Sequence, residues 1–192
     1  MFVPRSAFAV VLVLLLCGCA AMPIGSIVPL ARIDFMTTDL EKLRVAVQLP
    51  AMMRPGPNGV KMDVTLTADN GPAEITSLDL LETTEPADLA GLPDPRRPGT
   101  RVYRLAPADV ERFDAIRAKL AELKAAHRSG SLGIGIATRE FCVTSPLPAG
   151  PLPHSSYLET SETGTYVTLL EGFDMRSDPK IADALAQVPT CP

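Results

Sequence analysis

Residues 60–68 alternate without a break: Val60, Met62, Val64, Leu66 and Ala68 are apolar, and Lys61, Asp63, Thr65 and Thr67 stand between them. A period of two puts all five apolar side chains on one face of a strand, whose backbone groups must then pair with neighbouring strands. The chain therefore has to build a sheet with a covered face. Leu43, Val45, Val47 and Leu49 repeat the pattern against Arg44, Ala46 and Gln48. Asp69-Asn70-Gly71-Pro72 supplies turn chemistry, because Asn and Gly tolerate positive φ, so 73–83 is expected to return antiparallel. Its apolar phase slips from Ala73 and Ile75 to Leu78 and Leu80, which predicts a bulge near Ser77.

The same reading places strands at 102–105 and 166–170, and a weaker edge candidate at 27–35, which contains Pro29. Gly130-Ser131-Leu132-Gly133-Ile134-Gly135-Ile136 follows a helix and lacks the spacing of a phosphate loop. It reads as a buried strand, with Gly133 and Gly135 leaving a flat face for close approach of backbone or helix.

Helical signals are few. Across 107–128, Val110, Phe113, Ile116, Leu120 and Leu123 recur at spacings of three and four, which makes one core-facing stripe. Gly130 is the expected stop. Asp178-Pro179 opens a short last helix carrying Ile181, Leu185 and Val188. Eight of the nineteen prolines fall in two stretches, 85–99 and 145–153, both expected as stiff surface loops. The sum is an α+β domain over 27–192: an antiparallel sheet of about five to seven strands, one long helix packed on it, and a short C-terminal helix.

The chain begins with a different kind of segment. Arg5 precedes an unbroken apolar run over 7–16. Ten helical residues cover ~15 Å, about half of a ~30 Å hydrocarbon core, which is a signal-peptide shape and not a span. Leu16-Cys17-Gly18-Cys19 follows, and this quartet resembles the lipobox of bacterial lipoprotein precursors. Cys19 takes the +1 place, since Cys17 would have bulky Leu16 before it. The resemblance covers about the first twenty residues. It implies cleavage between Gly18 and Cys19, a diacylglyceryl thioether on the Cys19 sulfur, and a further acyl chain, palmitate-like, on the new amine. Two or three chains anchor a protein durably where one does so only marginally. An ordinary secretory signal would instead be cut near Ala20 or Ala21 and leave a soluble protein. Residues 1–18 are thus read as signal and 19–26 as a lipidated tether. Ala20 after the cysteine, where aspartate favours inner-membrane retention in enteric bacteria, favours the outer membrane.

Loss of residues 1–18 removes one base, Arg5, and leaves 17 basic against 22 acidic residues. That balance argues against non-specific nucleic-acid binding, which needs a basic face. With Cys19 lipidated, Cys142 and Cys191 remain, and in an oxidising compartment they are expected to bridge; two free thiols are the alternative.

Catalytic signals are thin. His154-Ser155-Ser156-Tyr157 gathers imidazole, hydroxyls and a phenol, and would make a hydrolase if a base and an oxyanion hole converged, but it reads as a solvated loop without a GxSxG elbow. His127 lies at the end of the helical stripe, as a packed or capping residue. The two histidines sit 27 residues apart with no HExxH, so no metal is expected, and no cofactor. Asp34, Asp79 and Glu171 are acids beside apolar runs. Met52 and Met53, in the apolar stretch Ala51-Met52-Met53-Arg54-Pro55-Gly56, are candidates for partner or membrane contact. The expectation is a non-enzymatic, lipid-anchored envelope module facing the periplasm, acting through a protein partner or as structure. A carrier holding a small apolar ligand between the long helix and the sheet, where the glycine face could leave room, and a hydrolase using His154 are the alternatives.

Overall fold

The computed structural model describes residues 23–69, 71–92 and 98–192. Arg5, the quartet Leu16-Cys17-Gly18-Cys19, Ala20, Ala21, Asn70 and part of the first proline-rich stretch lie outside the described residues. The fold is mixed α/β, with helices α1 (Ile24–Leu30), α2 (Pro86–Leu89), α3 (Pro107–Ala125) and α4 (Pro179–Leu185) around a curled antiparallel sheet. Its strands are β1 (Arg44–Gln48), β3 (Val60–Ala68), β4 (Glu74–Thr83), β5 (Thr100–Leu105), β6 (Gly130–Thr138), β8 (Pro153–Glu159) and β9 (Val167–Asp174). They lie in the order β6-β3-β4-β5-β1-β8-β9. Two short strands, β2 (Met53–Pro55) and β7 (Phe141–Val143), form a separate ribbon.

The alternating residues face one core. Val45 and Val47 of β1, Val60, Met62 and Val64 of β3, Leu78 and Leu80 of β4, Leu158 of β8 and Phe113 of α3 are all buried there. On α3, Leu120 and Leu123 are buried as well, with Val110 and Ile116 half-buried, so the stripe covers the sheet as its spacing requires. β1 goes further than alternation predicts. Its other face is covered too, where Ala46 and Val102 pack with Leu92 and Tyr166, and buried Gln48 donates to Thr100 Oγ1 at 3.1 Å. A strand in the middle of a curled sheet is enclosed on both sides.

Five expectations are corrected. First, 27–35 does not form an edge strand, because 24–30 is helical: the fixed φ of Pro29 suits a helix too, although its missing N–H forgoes the i→i−4 bond to Gly25. Second, no bulge occurs at Ser77. The β3–β4 register runs unbroken from Lys61↔Asp79 to Leu66↔Glu74, and Ile75 faces solvent. The apparent phase slip was an exposed isoleucine. Third, β6 is not a buried strand. It is an edge, with Leu132, Ile134 and Ile136 half-buried and Gly133 and Gly135 open, and a Cβ at Gly135 would meet nothing closer than Asp63 O at 4.0 Å. Fourth, α3 stops before Gly130. His127 takes φ 55°, and the bonds Arg128 N–H to Leu123 O (2.9 Å) and His127 N–H to Lys124 O (3.0 Å) close a Schellman motif around it. His127 is therefore a terminating residue, exposed to solvent. Fifth, 154–157 is strand β8, not loop. Its register with β9 shifts on both sides of Ser156, which lets consecutive Ser155 and Ser156 both be buried and hides the alternation.

Asp178 caps α4 as expected, accepting from Lys180 N–H (2.8 Å) and Ile181 N–H (3.3 Å) ahead of Pro179. Among the described residues no helix is long and apolar enough to cross a membrane.

Candidate functional site

An apolar cleft is built at the C-terminal end of the chain. Cys142 lies on β7, and Cys191 lies beside it with the sulfurs at bonding distance and the Cα atoms 4.8 Å apart. The tail runs parallel to β7 through a bridge between Val143 and Thr190, with Val143 N–H donating to Pro189 O and Cys191 N–H to Val143 O, both at 2.9 Å. Three segments thus converge: the ribbon, α4 and the strapped tail. Between them lies a cleft of about 480 Å³ lined by Phe141, Cys142, Ile181, Leu185, Val188 and Pro189, with Arg139 and Glu140 also at its wall. Its size falls within the range of small-ligand sites, and an apolar lining with few polar groups is their usual character. One of those groups is engaged, since Arg139 NH2 donates to Asp63 Oδ2 at 2.5 Å. This is not where a ligand was expected. The surface between α3 and the sheet is occupied by Phe113 and its neighbours, and the open room lies beneath α4.

Met53, on β2, is 1% exposed and belongs to the main core, while Met52 is half-buried against it. Met53 thus supports the ribbon from the core side, and Met52 keeps part of its surface at the outside. Of the hydroxyl cluster, Ser155 Oγ accepts from Gly172 N–H at 3.0 Å, which ties β8 to the end of β9. His154 is half-buried, and its Nε2 has no hydrogen-bond partner. Burial pushes its imidazole down to about 4, so it stays neutral near pH 7. No hydrogen bond among the described residues joins His154 to a serine or an acid. Asp34 accepts from Met36 N–H at 2.9 Å in a local turn, Asp79 pairs with Lys61, and Glu171 is exposed on β9. The structure keeps the three apart. Among the described residues no group of three or more His, Cys, Asp or Glu is placed to hold a metal ion.

A polar centre that sequence reasoning missed lies on the outer face of the sheet. Asp88 of α2 is 6% exposed and accepts from Arg44 Nε at 2.5 Å, Arg104 Nε at 2.6 Å and Thr83 Oγ1 at 2.8 Å. The Tyr166 hydroxyl donates to the Asp88 carbonyl at 2.6 Å. Burial alone would raise the Asp88 carboxyl, but the bonds from Arg44, Thr83 and Arg104 outweigh it and hold the group below its ordinary value. Arg44 stands between Arg104 on β5 and Glu159 on β8 in the sheet register. The one clue in the sequence was two arginines at matching ends of adjacent strands, which require an acid nearby.

Comparison with protein-family models, with curated proteins and with solved structures finds no match.

Proposed function

We propose that the chain is a lipid-anchored protein of the bacterial cell envelope, acylated at Cys19, whose α+β domain serves as a non-catalytic interaction or structural module on the periplasmic side, with the outer membrane favoured. The quartet Leu16-Cys17-Gly18-Cys19 behind a short apolar core carries this reading. The proximity of Cys142 and Cys191 supports it, because a bridged pair suits an oxidising compartment. Thioether chemistry needs the sulfur, so Cys19→Ser should leave a full-length precursor that incorporates no palmitate label, while the unaltered chain is processed and labelled. A processed, membrane-bound Cys19→Ser product would overturn the anchor.

A second reading, an anchored carrier of a small apolar ligand, is favoured by one observation: the cleft of about 480 Å³ beneath α4. Here a ligand would lie against Phe141, Leu185 and Val188, with the strapped tail as one wall.

A further inference from the structure

Four large apolar side chains stand out into solvent among the described residues: Ile27, Val28, Ile75 and Leu81. Two of them are neighbours on α1, whose pattern is inverted for a surface helix. It buries Ser26, turns Leu30 towards the core together with Ile33 just beyond its end, and exposes Ile27 and Val28 at 55% and 62%. Ala31 and Arg32 are exposed beside them. From Cys19 to Ile33 the one charged residue is Arg32, although the chain after residue 18 holds more acids than bases. An apolar face next to an isolated cation suits the boundary between acyl chains and anionic headgroups, where arginine can extend to phosphate while the apolar side chains go deeper.

Position on the chain selects the occupant. Ile27 lies eight residues beyond Cys19, so even a fully extended connection spans no more than ~29 Å, and α1 begins at the fifth residue after the cysteine. The tether is shorter than the stretch 19–26 read from the sequence, because 24–26 is already helix. A surface held this close to acyl chains meets the bilayer at high effective concentration before it meets any diffusing protein. We infer that α1 docks in the bilayer interface, with Ile27 and Val28 at the headgroup–acyl boundary and Arg32 at the phosphates. The domain is then held in a defined orientation instead of swinging on its tether. This rests on acylation of Cys19.

The test uses the full chain, expressed in a bacterium that processes lipoproteins and reconstituted in vesicles of phosphatidylethanolamine and phosphatidylglycerol. Ile27→Cys and Val28→Cys each receive a nitroxide, and Ile75→Cys on β4, 63% exposed, serves as the aqueous control. Mass spectrometry of the N-terminal peptide reports acylation separately. The expected result is a ratio of oxygen to nickel-chelate collisions at positions 27 and 28 several-fold above that at 75. An acylated chain whose labels at 27 and 28 behave like the one at 75 overturns the docking and leaves the anchor standing. A chain with no lipid on Cys19 overturns both.

Discussion

His154 shows how one residue can look like chemistry and act on stability. Its neutral ring is tolerated in β8 because proton binding is suppressed, from an ordinary 6.5 to about 4. The unfolded chain takes up that proton more readily, so the linkage sign is fixed: stability is full above about pH 6.5 and falls as pH drops towards 4. Between pH 7.5 and 4.5 the contribution is about 2–3 kcal/mol at most. His154→Leu removes the titrating ring and its unpartnered Nε2, while the carboxylates titrate as before. Urea unfolding at the two pH values should show a smaller acid loss in the variant than in the parent. Equal losses would mean that the ring is solvated in the native state. Nothing in the string His154-Ser155-Ser156-Tyr157 announces this, because burial of a histidine depends on what packs over it. Asp88 was equally illegible, its partners being 44, 16 and 5 residues away.

Elements were legible where one face is dry and the other wet. β1, β3 and α3 follow from periodicity, and α4 from its cap and proline. Legibility failed where that asymmetry is absent or disguised. The register shifts in β8 bury two consecutive serines, and α1 turns its apolar side outwards, where a core-seeking rule cannot find it. The C-terminal strap lies between these cases, since the pairing of its cysteines was foreseeable and the cleft it closes was not. A bridge between Cys142 and Cys191, 49 positions apart, stabilises by up to ~4 kcal/mol through the unfolded chain. Replacing both by serine should lower the urea midpoint correspondingly. If the carrier reading holds, the same variant should bind a fluorescent fatty acid at least about tenfold more weakly, a change of ~1.4 kcal/mol, because Val188 and Pro189 lose their fixed position. Unchanged probe binding at reduced stability would remove the cleft as the ligand site.

At the scale of the whole molecule, Asp88 joins the outer cap to the sheet by binding β1, β4 and β5 at once, with Tyr166 held to its backbone. Asp88→Ala would remove the carboxylate from the Arg44 guanidinium, itself 15% exposed and beside Arg104, and leave it the carbonyls of Glu41 and Leu43. Losing one partner of a fully buried pair costs about 3–5 kcal/mol, and the carbonyls left to Arg44 and the exposure of Arg104 reduce that here to about 1–3 kcal/mol. The variant should therefore unfold at lower urea, and the Tyr166 amide should exchange faster with solvent. A change below about 0.5 kcal/mol, as for an ordinary surface site, would show that the cap is held by packing alone. The central place of β1 also governs the timing of assembly. β6, β3, β4 and β5 belong to one continuous stretch with α3, and can zip up among themselves. β1, made before any of them, must wait for β8, whose Glu159 meets Arg44 across more than a hundred intervening positions. β5 can cover one long edge of the first strand, but loop closure to β8 is slow and leaves the other edge exposed meanwhile. The earliest strand of the sheet to emerge is among the last to be sealed, so a nascent copy needs shielding until residue 159 has arrived.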